Sequence, residues 1–229
     1  MPKMWKLQTL AYPLAAALAL TPLACTTDEE DDHGDEHGDH DDEHDHDHET
    51  EIISRVQLTF TPTAGGDPLV FAFSDPDGDG GVSGTADAIT LAADTTYTLS
   101  IEFINDLEDP SEDITEEIAE EAEEHFVLIA GDGINGPAGA GAMVLATHAY
   151  ADVESDHGGN AVGDDLPVGL INEVSTTATG TSELRVMLRH LPDVNGEAQK
   201  SADIPMQFAD GEALPGDVDV DVTFEFTVE

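Results

Sequence analysis

The chain is poor in basic residues. Lys and Arg together number 6 against 51 Asp and Glu, and the formal net charge is -45. A surface of that sign repels DNA, RNA and anionic lipid headgroups, which excludes most nucleic-acid functions, and it favours cations. Cysteine occurs once, at Cys25. No disulfide is possible within the chain, and no further thiol is available for nucleophilic work. Aromatic residues make up 5% of the chain, so a core must rest on Val, Leu, Ile and a few Phe. A regular β-α-β alternation is absent, which argues against a doubly wound fold. The glycine-rich GDGINGPAGAGA has no Lys, Ser or Thr to hold a phosphate, and no nucleophile-elbow string accompanies the Ser, His and Asp residues. Paired carboxylates occur throughout and so point to no acid–base pair. No enzyme is indicated.

What is present begins with a leader. Met1 to Gln8 carries Lys3 and Lys6 with no acid, and Leu10 to Leu20 is apolar. At about a dozen residues this run is short of the ~20 needed to span a bilayer. With the small residues before Cys25 it reads as a secretory signal peptide over residues 1–24. The string TPLAC resembles the lipobox of bacterial lipoproteins, with Pro22 where Leu is usual and Leu23 one place nearer the cysteine. The resemblance implies an acylated Cys25 that anchors the protein to a membrane. Thr26, in place of Asp, implies the bacterial outer membrane, facing the periplasm or the cell surface.

Residues 25–51 form a second region. After Cys25 the chain reads TTDEEDDHGDEHGDHDDEHDHDHETE, with six of the ten histidines: His33, His37, His40, His44, His46 and His48. A segment without apolar side chains builds no core, so a disordered, extended tether is expected. Its ~26 residues reach on the order of 90 Å at most. Neutral imidazole is a good zinc ligand and carboxylate can complete a tetrahedral shell. His44, His46 and His48 alternate with Asp45 and Asp47, so several ligands can fold round one ion. Zinc capture, buffering or delivery to an outer-membrane receptor follows as the first functional reading. The alternative is a structural or adhesive surface module in which the tail is an acidic stalk, with calcium as a stabiliser.

A single β domain is expected over residues 52–229. Val56, Leu58 and Phe60 alternate with polar residues in IISRVQLTF, as do Tyr97, Leu99, Ile101 and Phe103 in TYTLSIEF. Further strands are read at Leu69–Phe73, Ala88–Leu91, Phe126–Ala130, Ala142–Tyr150 and Leu184–His190. The last strand alternates Val218, Val220, Val222, Phe224, Phe226 and Val228 with Asp217, Asp219, Asp221, Thr223, Glu225 and Thr227. Seven to nine strands in ~178 residues predict an immunoglobulin-like antiparallel β-sandwich. One acidic helix is inserted, Ile114 to Glu124, capped by Asp113 and carrying an apolar stripe of Ile114, Ile118 and Ala122.

Two further cation sites are suggested inside this domain. Asp75, Asp77, Asp79 and Gly80 match positions one, three, five and six of a calcium loop, although Ala86 stands where position twelve needs Glu. Glu117, Glu121 and His125 stand four residues apart on one face of the expected helix, and two such neighbours, as Glu121 with His125, can share a metal. His148 or His190 would add a ligand from a strand. His157 lies beside Asp156 in a polar loop.

The strings TFTP, DPDGDGG, FINDLEDPSEDITEEIAEEAEEH, LRHLP and DVDVTFEFTVE together resemble a family of bacterial secreted lipoproteins of unassigned activity. Some members are described as type 1 periplasmic-binding-fold proteins, a two-lobed α/β architecture, whereas this chain reads as strands with one helix. Separately, the His/Asp-rich tail is similar to the metal-gathering loops of zinc-uptake proteins.

Overall fold

The structure is a computed structural model and describes residues 52–78, 84–159 and 163–229. The leader, Cys25, the tail histidines His33, His37, His40, His44, His46 and His48, the interleaved Asp45 and Asp47, and Asp79 all lie outside the described residues.

The first half of the domain holds β1 (Arg55–Pro62), β2 (Leu69–Ser74), β3 (Thr85–Ala86), β4 (Ile89–Leu91), β5 (Thr96–Asn105), β6 (Glu112–Asp113) and α1 (Ile114–Glu120). Then follow β7 (His125–Ala130), β8 (Ile134–Gly136), β9 (Gly139–Ala140), β10 (Ala146–Tyr150), a 3-10 turn (Glu154–His157), β11 (Ile171–Thr176), β12 (Gly180–His190), α2 (Ile204–Ala209) and β13 (Asp217–Val228). One sheet runs β3-β2-β1-β5-β11-β10-β8-β9, with β6 also on β5; the other runs β4-β13-β12-β7. Pairing is antiparallel except β8 with β10 and β4 with β13. The fold is mainly β and sandwich-like.

Alternation builds this core. Val56, Leu58 and Phe60 of β1 lie opposite Phe103, Ile101 and Leu99 of β5, and all six are buried. They share one apolar cluster with Val127, Ile129, Leu184, Val186, Leu188, Val222, Phe224 and Phe226 of the second sheet. The period-two pattern thus puts one face of each sheet against the other. Strand β7 breaks the alternation and is buried on both sides. Val127 and Ile129 enter the shared core, while Phe126 and Leu128 join Met187, Leu191 and Ile204 in a second cluster. A continuous apolar run of this kind fits a strand covered on both faces. Ile204 of α2 supplies part of the outer cover.

Several boundaries differ from expectation. The helix closes at Glu120, and Glu121 takes φ −101° and ψ 35°, outside helical space. Residues 121–124 are turn and His125 is the first residue of β7. Two causes combine. Glu121, Glu123 and Glu124 would set acid against the negative end of the helix dipole. Pairing of His125 with His190 draws the chain into the sheet. The strand expected from Ala142 begins at Ala146, and β8, β9 and β11 form in stretches with no clear alternation. Between β12 and β13 the register shifts at Leu188 and Arg189, because Leu188 pairs Val220 and Arg189 pairs Val218. Asp219 is therefore an extra residue, a β-bulge that turns Val218 outward, where it is 44% exposed. Among the described residues no helix is long and apolar enough to cross a membrane.

Candidate metal centre

Three candidate ligand residues meet where β7 begins and β12 ends. One ligand atom each from Glu121, His125 and His190 lie within 4.8 Å of one another. Two elements hold them. His125 opens β7 and is wholly buried, and His190 closes β12 directly across the ladder. Glu121 comes from the turn that follows α1. Ile118 and Ala122, fully buried on either side of it, fix that turn against the core. Glu117 stays on the helix and is not part of the group, so the expected helix face is replaced by a strand pair and a turn.

The two imidazole rings stack with centroids 4.7 Å apart and planes 9° from parallel. The His125 Nδ1–H donates to the Glu121 carbonyl at 3.2 Å. A carbonyl only accepts, so the neutral ring carries its proton on Nδ1 and its lone pair on Nε2. Glu121 Oε2 lies 3.9 Å from the same Nδ1, and Glu124 Oε2 lies 3.7 Å from His190 Nε2. Histidine ligands are commonly steadied by a carbonyl on the other ring nitrogen, as the Glu121 carbonyl steadies His125. Burial, then the charge of His190, lowers the His125 pKa from 6.5 to about 4. The ring is therefore neutral at pH 7 and offers its lone pair without competition from a proton.

The surroundings are acidic and firmly braced. Lys200, itself buried, donates to the Ala122 carbonyl at 2.7 Å and pairs with buried Glu154 at 2.9 Å, which pins the turn before His125. Burial lowers the lysine pKa and Glu154 opposes that effect. A groove lined by Glu123, Glu124, Glu154, Asp164 and Asp193 shares Glu124 with the site. The side chains of Glu121 and His190 keep 37% and 21% exposure, so both can adjust while His125 stays fixed. Bonds of about 2.1 Å hold tetrahedral ligands about 3.3 Å apart, so the group must contract slightly round an ion.

The other expected residues fall elsewhere. His148 does not join this group. Its Nε2–H donates to Asn172 Oδ1 at 2.9 Å, and Asn172 is oriented by its own bond to the Gly169 carbonyl at 2.7 Å. The Nδ1 side of His148 is walled by Gly136, where an added Cβ would sit 2.9 Å from that nitrogen. His157 donates to Asp152 at 3.1 Å, rather than pairing with Asp156. Asp152 also accepts the backbone N–H groups of Gly169, Leu170 and Ile171, and so ties the polar loop to β11. Asp75 is 1% exposed, and it and Asp77 do not belong to the Glu121, His125, His190 group. Sequence reading missed Glu124 as a neighbour of the site, because the longer helix expected there hid it.

Comparison with known protein families, with curated proteins and with solved structures finds no match, so the function must be argued from these residues.

Proposed function

We propose that this protein is an exported, lipid-anchored binder of divalent transition metal, with zinc as the first choice. Its ion would sit on Glu121, His125 and His190 of the β domain. The His/Asp-rich tail would act as a second, looser collector, for capture or buffering outside the cell or delivery to an outer-membrane receptor. One observation carries this reading: two imidazoles and a carboxylate meet at one end of a sheet, each on a different part of the backbone. Imidazole and carboxylate together suit zinc, and nickel or copper can substitute. The net charge of -45 raises the local concentration of any cation. Three protein ligands also leave a position for water or a further donor.

Zinc titration of the full-length chain at pH 7 tests the reading, with the six tail histidines replaced by serine to silence the tail. One tight equivalent is expected to remain, and His125→Ala should release it. A silenced chain that takes up no zinc would overturn the domain site.

A further inference from the structure

A cleft of about 500 Å³ lies on the larger sheet, with walls from β5, α1 and the start of β11. Its lining includes buried Leu170 and half-buried Ile171 and Ala119. Both sides are braced. The Thr115 hydroxyl donates to the Phe103 carbonyl at 3.2 Å and accepts the Phe103 N–H at 2.8 Å, which ties the first turn of α1 to β5. Asp152 accepts the N–H groups of Leu170 at 2.9 Å and Ile171 at 3.1 Å, and holds His157 on the same carboxylate. A preformed apolar recess of this size with a few polar groups is the usual form of a small-molecule site.

The ionisable groups of this lining are acceptors. Glu102 is half-buried, and its Oε2 accepts from the Gln57 amide. Gln57 in turn accepts from Arg55 at 3.0 Å, and Arg55 is spent on Asp106 through bonds of 2.6 and 3.1 Å. That chain fixes Glu102 without bringing the guanidinium to it. Asp113 and Glu116 add two exposed carboxylates. His157 gives its Nε2–H to Asp152, so the neutral ring keeps only the Nδ1 lone pair to offer. No Lys or Arg lines the cleft among the described residues. A half-desolvated carboxylate beside an apolar floor favours a ligand that brings positive charge.

We infer that this cleft binds a small primary alkylammonium, with its aliphatic chain on Leu170, Ile171 and Ala119 and its head on Glu102. An ammonium has three donors and no acceptor, which matches a lining of acceptors. A carboxylate or phosphate head would meet like charge, and an alcohol would leave the charge of Glu102 unanswered. The cleft shares no residue with the group of Glu121, His125 and His190, so the inference is independent of the metal reading. It gives the protein a second ligand class, organic and not metallic.

Titration of the full-length chain at pH 7 with n-hexylammonium, ethylammonium and 1-hexanol tests this, followed by the backbone amide NMR shifts of Ser100, Thr115 and Ile171. Hexylammonium is expected to shift these amides saturably. Its four extra methylenes should make it bind on the order of 100-fold more tightly than ethylammonium. Hexanol should bind at least about 10-fold more weakly than hexylammonium, and Glu102→Gln, which still accepts from Gln57, should weaken hexylammonium by about the same factor. Absence of saturable shifts at these amides in the parent would overturn the site. Equal affinity for ethylammonium and hexylammonium would reduce the effect to surface charge and overturn it as well. Hexanol binding as tightly as hexylammonium, or E102Q leaving affinity unchanged while its other amide shifts match the parent, would overturn the role of the carboxylate.

Discussion

Two histidines of this domain are buried in the sheets, and they have opposite surroundings. His148 lies in the larger sheet between Asn172 and Gly136, and its one hydrogen bond ends on an amide that is itself anchored. His125 lies at the end of the smaller sheet, against a second imidazole and within reach of Glu121. Burial pushes both pKa values down. Burial alone therefore does not tell a ligand from a packing residue. The difference is in what the ring nitrogens meet. One meets a closed amide network and a glycine wall, the other a cluster of donors with a solvent-facing side.

Zinc should separate the two histidines most sharply. A ligand that binds only the folded state adds about 4 kcal/mol at a thousand times its Kd. In the tail-silenced chain this rise, read from thermal or urea unfolding, should vanish in the His125→Ala/His190→Ala double variant and persist in His148→Gln. Loss of the rise in His148→Gln as well would erase the contrast.

Acid should give the next largest effect. His125 is held at about 4 in the fold against 6.5 in the unfolded chain, so on acidification the unfolded state takes up the proton first. Its contribution to stability is complete above pH 6.5 and is lost as pH falls through about 4. The zinc-free parent should lose on the order of 3 kcal/mol relative to His125→Gln across that window. The comparison with the variant cancels the opposing contribution of Asp219, whose carboxyl titrates near 6. His148 shifts in the same direction, so His148→Gln should show the same sign. A stability difference that is flat with pH would mean that His125 is not buried neutral.

The smallest effect belongs to the packing histidine. His148→Gln should cost about 2 kcal/mol of zinc-free stability, through an imperfect replacement of the bond to Asn172. Its zinc affinity should be that of the parent.

Much of this architecture was legible in the sequence. Strands β1, β5, β12 and β13 announce themselves by alternation, because one sheet face is buried and the other wet. The stripe of Ile114, Ile118 and Ala122 marked the packing face of α1 correctly. The continuous FVLI of β7 read as a strand, but nothing in it named α2 as part of its outer cover. Glu121 and His125 were also legible as neighbours, although on a helix face that does not exist. A helical spacing of four suggested one face, whereas the chain leaves the helix at Glu121 and the pair survives across a turn. The approach of His190 depends on β7 and β12 pairing across some sixty residues of sequence. That pairing has no local signature, so the candidate group emerges only at the level of the sheet.

The most direct measurement is the zinc-edge X-ray absorption spectrum of the tail-silenced, full-length chain loaded with one equivalent of zinc. The account predicts two imidazole nitrogens and carboxylate oxygens at about 2.0–2.1 Å, with the imidazole scattering gone from the His125→Ala/His190→Ala variant. A shell of oxygens alone, identical in both chains, would contradict it.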